Sequence, residues 1–333
     1  MNTVPEILHD IRQLSEKYST KDTSQWLTKC LEFNLTKGKK NRGFLVVQTF
    51  KELGRTNTNV SAENIRLSYI LGWITEIMQY SILMADDIID NSSTRRGQIC
   101  WHNLNEVGLM AINDFVMVHS SVYALLQKYF KTSSCYFHLF ELYKETMMIM
   151  ASGASLELLI SKGSVESFSR SLYETIVTNK TATTLYFPFA LAMHLADVTN
   201  PEAFRQVKII SMEMGRYFQV QDDYLDCFGD PKITGKIGTD IEENKCSWLA
   251  VECMNRANNE QKLTMLECYG KYDPKMIQRV KNLYKSLELP KLYTNYEEII
   301  HTKIKRLISN QTSNDVPCNT LLLMLDNMYQ RTH

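Results

Sequence analysis

The stretch of sequence that decides the fold is IRLSYILGWITEIMQYSILMADDIID, residues 65–90. Its apolar side chains recur at spacings of three and four, which is the period of one face of an α-helix. No proline lies between Pro5 and Pro188, so no proline interrupts a long helix in this half of the chain. The stretch therefore predicts one helix, Ile65–Asp90, that ends in aspartates. The residues that carry this period are Leu67, Ile70, Leu71, Ile74, Ile77 and Met78.

The same helical period continues through most of the chain, whereas the alternation typical of strands is scarce. Further helices are predicted at Leu109–Tyr129, Tyr136–Ile160, Ser169–Lys180, Ala203–Cys227 and Asn244–Asn255. The segment Phe228–Asp240, which contains glycines and Pro231, is the clearest internal loop. The more polar region 268–300 is expected to be peripheral. Because no internal repeat, linker or low-complexity tract is found, the sequence predicts a single all-α domain over residues 1–333.

Composition and charge exclude several classes of function. The chain has 333 residues and is 44% apolar, which is ample for a large core. Its 37 acidic and 37 basic residues balance, which argues against nucleic acid as a partner. The eight cysteines form no CxxC pair, so reduced thiols in a cytoplasmic protein are expected. The segment MNTVPEILHDIRQLSEKYS has no apolar run typical of a secretory signal, and no run of about 18 apolar residues predicts a membrane span.

Two aspartate clusters directly follow strongly apolar helices. Residues four apart share a helix face, so Asp86 and Asp90 destabilise their helix unless a cation neutralises them. A single DDxxD usually marks a solvated helix end, but here the pattern occurs twice. Oxygen ligands without histidine or cysteine suit Mg²⁺, which binds a few carboxylates plus substrate phosphates. The predicted magnesium ligands are Asp86, Asp87, Asp90, Asp222, Asp223 and Asp226.

Basic side chains lie near both clusters along the chain. They are Arg95 and Arg96 after the first cluster, Lys236 and Lys245 after the second, and Lys39 and Arg42 in the upstream loop KGKKNRG. Guanidinium and ammonium groups both suit phosphate oxygens, although each of these residues taken singly is more often a solvated surface charge. Carboxylates for Mg²⁺ together with several cations predict a diphosphate ligand. The apolar surroundings predict that this ligand has an apolar tail.

Four stretches carry a resemblance to a known family. They are FQVQDDYLDCFGDPKITGKIGTDIEENKCSWL (218–249), DDIIDNSSTRRGQICW (86–101), GKKNRG (38–43) and LGWITEIMQ (71–79). On these motifs the chain resembles the trans-prenyl (isoprenyl) diphosphate synthases, most closely those of farnesyl type, over residues 31–333, behind a helical lead-in at 1–30. The resemblance implies a single isoprenoid synthase domain of the class I terpenoid synthase type. Such a domain is an all-α bundle around a central cavity, and it forms a homodimer.

The resemblance also implies a role for each residue that matches a family motif. The six aspartates would hold about three Mg²⁺ ions on an allylic diphosphate, with support from Asp240. The cations that bind this diphosphate would be Arg95, Lys180, Lys236 and Lys245. Isopentenyl diphosphate would be bound by Lys39, Arg42, Gln79, Arg96 and Arg331. The catalytic residues would be Lys180, Thr181 and Gln219, whose dipoles stabilise the allylic cation beside the substrate.

The sequence departs from the family pattern around the expected cavity. Lys37-Gly38 replaces a pair of glycines, and Ser81 and Ile82 replace bulky aromatic residues before the first cluster. Ser81 frees volume beyond the substrate tail unless Met84 or Tyr80 refills it. Further changes make the cavity more apolar or reshape a kink beside the reacting carbon. These changes lie at Met150, Ala151, Ala154, Glu157, Thr183 and Thr184. The product-determining set is therefore expected to comprise Ser81, Ile82, Met150, Ala154, Thr183 and Thr184.

Two enzymatic functions share these residues. The first is a Mg²⁺-dependent prenyltransferase that joins isopentenyl diphosphate to an allylic diphosphate through a carbocation. The complete set Lys39, Arg42, Gln79 and Arg96 favours it. The alternative is a terpene synthase that converts geranyl or farnesyl diphosphate to a mono- or sesquiterpene, which the cavity changes favour. A non-catalytic partner subunit is a third possibility, but both aspartate clusters are intact.

Overall fold

The computed structural model of this chain describes residues 4–54, 61–234 and 238–329. These residues form helices joined by short connections, with one two-stranded hairpin. The helices are α1 (Val4–Glu16), α2 (Lys21–Leu35), α3 (Asn41–Gly54), α4 (Ala62–Ile89), α5 (Met110–Phe130), α6 (Tyr136–Ile160), α7 (Arg170–Val177), α8 (Thr183–Leu195), α9 (Pro201–Phe228), α10 (Pro231–Thr234), α11 (Trp248–Arg256), α12 (Asn259–Cys268), α13 (Pro274–Ser286), α14 (Leu289–Ser309) and α15 (Cys318–Met328). The strands are β1 (Thr94–Arg95) and β2 (Gln98–Ile99). The predicted all-α fold is confirmed.

Two predicted helix boundaries are wrong for reasons visible in the backbone. The predicted helix Ser169–Lys180 leaves the α-helical path after Val177 and continues as a π-helical turn, Thr178–Ala182. The predicted helix Asn244–Asn255 begins only at Trp248. Asn244 has a φ of 54°, which cannot continue a right-handed helix, and Ser247 accepts a hydrogen bond from the Ala250 N–H as the N-cap.

The chain divides into two compact units, each with its own core. Unit 1 comprises residues 1–144, 187–204 and 313–320. In it, α4 packs against α3 and α5. Helices α3 and α4 approach closely at Gly43 and Gly72. A Cβ atom on either glycine would lie only 2.8 Å from the carbonyl oxygen of the other, so this approach requires glycine at both positions. A second anchor is the buried carboxylate of Asp114 in α5, which accepts hydrogen bonds from the indole N–H groups of Trp26 and Trp101, each at 2.8 Å.

Unit 2 comprises residues 145–186, 205–312 and 321–333. Its core gathers apolar side chains of α7, α9, α11, α13 and α14. The region 268–300 was expected to be peripheral, but it contributes Val280, Tyr284 and Leu289 to this core. The expectation is wrong because α13 and α14 are amphipathic. Their average composition is polar, but the apolar residues of each helix lie on one face, which is buried. The single domain over 1–333 stays a prediction.

Two sequence expectations concern the whole chain. The eight cysteines all lie in the described residues, and no disulfide joins any two of them. Within the part of the chain that the structure describes, no helix is both long enough and apolar enough to cross a membrane.

Candidate active site

The first aspartate cluster lies in the last turn of α4 and at its C-cap, Asp90, in unit 1. Asp86 and Asp90 are half-buried on one side of the helix end, whereas Asp87 is buried. The Arg95 side chain in β1 donates from Nε to Asp87 Oδ1 at 2.7 Å, and its Nη2 lies 2.5 Å from the same oxygen. The structure therefore brings the predicted diphosphate ligand Arg95 onto a predicted metal ligand. Asp87 orients this guanidinium, and Asp87 raises the pKa of Arg95 against the opposing effect of burial.

The hairpin that carries Arg95 also fixes Arg96. Strands β1 and β2 pair Arg95 with Gln98, which leaves Arg96 and Gly97 as the two turn residues. Both have positive φ, 55° and 73°, as a type I′ hairpin turn requires. The Arg96 guanidinium donates from Nη1 to the carbonyl of Lys37 at 3.2 Å. The predicted isopentenyl diphosphate ligand Arg96 is thus joined to the upstream Gly/Lys loop.

The upstream loop leads into α3. The Gly43 N–H in the first turn of α3 donates to the buried carboxylate of Glu76 at 2.8 Å, which fixes the start of this helix against α4. Of the other predicted ligands of isopentenyl diphosphate, Lys39 is exposed, Arg42 is half-buried and Gln79 is buried in α4. Arg331 lies outside the described residues.

The second aspartate cluster lies near the end of α9, in unit 2, and Asp223 is its buried member. Its carboxylate accepts three hydrogen bonds: from the Tyr173 hydroxyl at 2.8 Å, the Trp248 N–H at 2.8 Å and the Gln219 side-chain amide at 2.7 Å. Burial raises the pKa of Asp223, and the three donors oppose that shift because they stabilise the ionised form. Tyr173 and Trp248 were missed in the sequence. Nothing in the sequence marks Tyr173. Ser247 is a typical N-cap residue, and it could have indicated that a helix starts at Trp248, whose N–H then has no acceptor within the helix.

A chain of hydrogen bonds connects Asp223 to the predicted catalytic pair. The Thr181 hydroxyl donates to the side-chain oxygen of Gln219 at 2.6 Å, and the amide group of Gln219 donates to Asp223. The amide nitrogen of Gln219 donates to Asp223, so the amide oxygen is the end that faces Thr181. The Thr181 proton then points at Gln219, which leaves the lone pairs of the Thr181 oxygen for positive charge. The structure thus brings Thr181 and Gln219 together, as the resemblance implies.

The π-helical turn Thr178–Ala182 sets the position of Lys180 and Thr181. Two glycines allow neighbouring helices to approach this turn. A Cβ on Gly153 would lie 2.8 Å from the Lys180 nitrogen, and a Cβ on Gly215 would lie 2.4 Å from the Ala182 Cα. Two hydroxyl groups beyond the turn bond back to its carbonyls. The Thr183 hydroxyl donates to the Thr178 carbonyl at 2.9 Å, and the Thr184 hydroxyl donates to the Thr181 carbonyl at 2.7 Å.

The predicted lysines of the second cluster meet at Glu157. The Lys180 ammonium lies 2.5 Å from Glu157 Oε2, and the Lys245 ammonium lies 3.6 Å from the same oxygen and 3.5 Å from Glu243. Glu157, a departure from the family pattern, is therefore the counter-charge that gathers two predicted diphosphate ligands. Lys236 lies outside the described residues.

Asp226 is tied to the loop that follows α10. Its two carboxylate oxygens accept the backbone N–H groups of Thr239 at 3.3 Å and Asp240 at 3.0 Å. Asp240 therefore supports the second cluster through its backbone. Asp222 and Asp226 are both half-buried, so each cluster has one buried aspartate held by protein donors and two half-buried ones.

The residues predicted to determine the product occupy different environments. Ser81 is fully buried, and its hydroxyl donates to the Met78 carbonyl of its own helix at 2.7 Å. Met150 is buried, whereas Ile82 and Ala154 are half-buried. Thr183 and Thr184 serve the π-helical turn. Their role in a cavity stays a prediction.

The donor set fits Mg²⁺ that arrives with a phosphate ligand. Both clusters offer only carboxylate oxygens, the ligand type that Mg²⁺ prefers. Across residues 4–54, 61–234 and 238–329, no group of three or more His, Cys, Asp or Glu side chains is arranged to hold an ion by itself. Mg²⁺ normally takes one or two carboxylates and completes its shell with water and substrate phosphates.

Comparison with known proteins gives a consistent result. The polyprenyl synthetase family profile matches residues 24–287. The farnesyl pyrophosphate synthase of Gallus gallus is 40% identical over 332 residues, which cover 98% of this chain and 90% of that protein. The enzyme of the same name from Mus musculus is 41% identical over 309 residues, 92% of this chain and 87% of its own. That of Murgantia histrionica is 39% identical over 332 residues, 99% of this chain and 81% of its own.

The Tyr173–Asp223 hydrogen bond gives a direct test of the network in unit 2. Tyr173→Phe removes one donor from a buried carboxylate, so we expect the free energy of unfolding to fall by about 1.5–3 kcal/mol, the range for hydrogen bonds to charged groups. Urea denaturation measures this loss. Tyr272→Phe, the same change at an exposed tyrosine, is the control and should be neutral. Equal stability of both variants and the parent would contradict the assigned role of Tyr173.

Proposed function

Since the chain belongs to the polyprenyl synthetase family, we propose that it is a short-chain prenyl diphosphate synthase, a transferase that joins isopentenyl diphosphate to an allylic diphosphate. The observation that carries this function is the Asp223–Gln219–Thr181 chain, which fixes dipoles beside the lysine that would bind the leaving diphosphate. The named relatives are synthases of farnesyl pyrophosphate and do not favour the terpene synthase alternative.

In this function the two aspartate clusters bind Mg²⁺ carried by the allylic diphosphate. The candidate ligands are the six aspartates of the two clusters, Asp86, Asp87, Asp90, Asp222, Asp223 and Asp226, whose carboxylate oxygens suit Mg²⁺. Asp87 also accepts hydrogen bonds from Arg95, Asp223 accepts them from three donors and Asp226 from two backbone N–H groups, and these bonds hold the clusters in place. The ions, about three by family resemblance, would neutralise negative charge as the C–O bond of the substrate breaks.

The remaining groups stabilise charge on either side of that bond. Arg95, Lys180 and Lys245 bind the diphosphate, and their carboxylate partners hold them in position before the substrate arrives. The Thr181 oxygen and the Gln219 dipole face the positive charge that develops on the allylic carbon. Lys236 is assigned to the diphosphate on its motif alone. The released diphosphate takes the proton that is lost after the new C–C bond forms.

Isopentenyl diphosphate is bound by a separate basic set in unit 1. Lys39, Arg42 and Arg96 supply positive charge, and the buried Gln79 supplies an amide. This second substrate distinguishes elongation from terpene release, because a reaction of a single diphosphate does not use this set. The length of the product depends on the cavity residues, whose role stays a prediction.

The aspartate assignment predicts a loss of turnover without a loss of fold. Asp86→Ala and Asp222→Ala should each lower kcat by about 100- to 1000-fold, because a diphosphate cannot leave without neutralisation of its charge. To measure kcat, each variant is incubated with geranyl and isopentenyl diphosphate, and the longer prenyl diphosphates that form are quantified by liquid chromatography. Chelation by EDTA should stop the parent enzyme, and added Mg²⁺ should restore it.

The control for this test is Asp326→Ala, which removes an exposed aspartate in α15. It should leave kcat unchanged within about twofold, since an exposed surface charge contributes little. Normal kcat in both cluster variants would refute the metal assignment. If the parent enzyme forms no prenyl diphosphate longer than geranyl diphosphate, the proposed function itself is refuted.

We also propose a homodimer that forms through the start of α5. Leu109, Ile112 and Val116 are exposed and lie on one face of this helix, where water contact with large apolar side chains is unfavourable. A location in the cytoplasm, finally, agrees with eight cysteines that form no disulfide, because disulfides are rare in a reducing compartment.

The dimer proposal predicts a change of mass in solution. The double variant Ile112→Glu/Val116→Glu should shift the protein from dimer to monomer in sedimentation velocity, because a dimer would bury two charges in each copy. Leu263→Glu, at an exposed leucine of α12, is the control and should leave the mass unchanged. A monomeric parent protein, or a double variant that stays dimeric, would contradict this interface.

A further inference from the structure

Tyr80 joins the upstream Gly/Lys loop to α4. Its side chain is buried, with 3% of its surface exposed. The hydroxyl donates to the Lys37 carbonyl at 2.7 Å and accepts a hydrogen bond from the Lys40 ammonium at 2.7 Å. The Lys40 ammonium also donates to the Lys37 carbonyl, and to the Gly38 carbonyl at 3.4 Å. The phenol therefore holds both ends of the loop Lys37–Lys40.

The ring of Tyr80 carries two cations. The Arg96 guanidinium lies 4.7 Å from the ring centroid and the Lys40 ammonium lies 5.2 Å from it. An aromatic face attracts each cation, but two positive groups that share one ring repel each other. Burial and then Arg96 lower the pKa of Lys40, which shows the cost of this arrangement. An anion bound beside the two cations would relieve their repulsion.

The backbone conformation at three residues allows Arg96 to approach the loop Lys37–Lys40 closely. Gly38 has a φ of 91°, and a Cβ atom there would lie 2.4 Å from the Arg96 guanidinium carbon, so any other residue would displace the arginine. Lys40 and Arg96 each have a φ of 55°, which is uncommon for residues other than glycine. Uncommon backbone conformations that meet at one point are typical of binding sites.

We propose that Tyr80 is a positioning residue whose ring and hydroxyl hold Arg96 and the loop Lys37–Lys40 in the arrangement that receives the diphosphate of isopentenyl diphosphate. This inference rests on the proposed function, which assigns Lys39, Arg42 and Arg96 to that substrate. Tyr80 follows the fourth assigned residue, Gln79, in α4. Tyr80 touches no reacting atom in this assignment, so it acts on the affinity for one substrate and not on the chemical step.

The test separates the ring from the hydroxyl. Tyr80→Phe keeps the ring under both cations, so we expect the KM for isopentenyl diphosphate to rise by about threefold. Tyr80→Leu removes the ring as well, and we expect a rise of about tenfold, the effect of losing a desolvated cation–π contact. The KM for geranyl diphosphate should stay within about twofold of the parent value in both variants.

A matched control exists on the same helix. Tyr69 accepts a hydrogen bond from the Lys51 ammonium at 2.9 Å, and that ammonium lies 5.0 Å from the Tyr69 ring centroid. Tyr69→Leu therefore removes an equivalent tyrosine–lysine pair that the function does not use. It should change neither KM.

Direct binding keeps this inference distinct from the proposed function. Calorimetric titration with isopentenyl diphosphate alone should show a Kd about tenfold weaker for Tyr80→Leu than for the parent. The parent protein could bind isopentenyl diphosphate and yet form no prenyl diphosphate of greater chain length. In that case the proposed function fails, and the ratio of the two Kd values still decides the role of Tyr80. A parent that does not bind it, a Tyr80→Leu variant with unchanged Kd, or an equal rise of both KM values would overturn the inference.

Discussion

Donors from three helices converge on the carboxylate of Asp223, and the geometry of unit 2 depends on that convergence. Tyr173 reaches it from α7, Gln219 from α9, and the first N–H of α11 from Trp248. A buried carboxyl group is stable only when protein groups replace its lost hydration, so the hydrogen bonds to Asp223 hold these helices together. The same carboxylate orients Gln219, and through it the Thr181 hydroxyl. One buried carboxylate thus connects the packing of the unit to the Gln219 and Thr181 dipoles, which the proposed function assigns to the reacting carbon.

Several basic residues follow a similar rule, because protein groups hold them in position without a substrate. Asp87 holds Arg95, and Glu157 holds Lys180 and Lys245. In the upstream loop the partner is the aromatic ring of Tyr80. Preorganised charges need little rearrangement when the reaction begins. In the proposed function, this preorganisation lowers the barrier to breaking the C–O bond of the allylic diphosphate.

Much of this site could be predicted from the sequence, because long helices have a strong period and the two DDxxD clusters mark helix ends. Those patterns predicted α4 and α9, and the assignment of the aspartates as oxygen ligands stays a prediction. Sequence patterns do not record pairings between distant residues, so neither the Tyr173–Asp223 bond nor the contact of Tyr80 with Arg96 could be predicted. The π-helical turn after Val177 was also missed, since it depends on close approach by Gly153 and Gly215, and local propensity contains no information about that approach.

The central claim is that this chain elongates an allylic diphosphate by joining it to isopentenyl diphosphate. The most direct measurement is a pair of incubations of the purified protein with Mg²⁺ and geranyl diphosphate, one with isopentenyl diphosphate and one without it. Diphosphates are analysed by liquid chromatography and volatile products by gas chromatography. The claim predicts a longer prenyl diphosphate in the first incubation and no volatile terpene in the second. Volatile terpenes in the second incubation, without a longer diphosphate in the first, would contradict it.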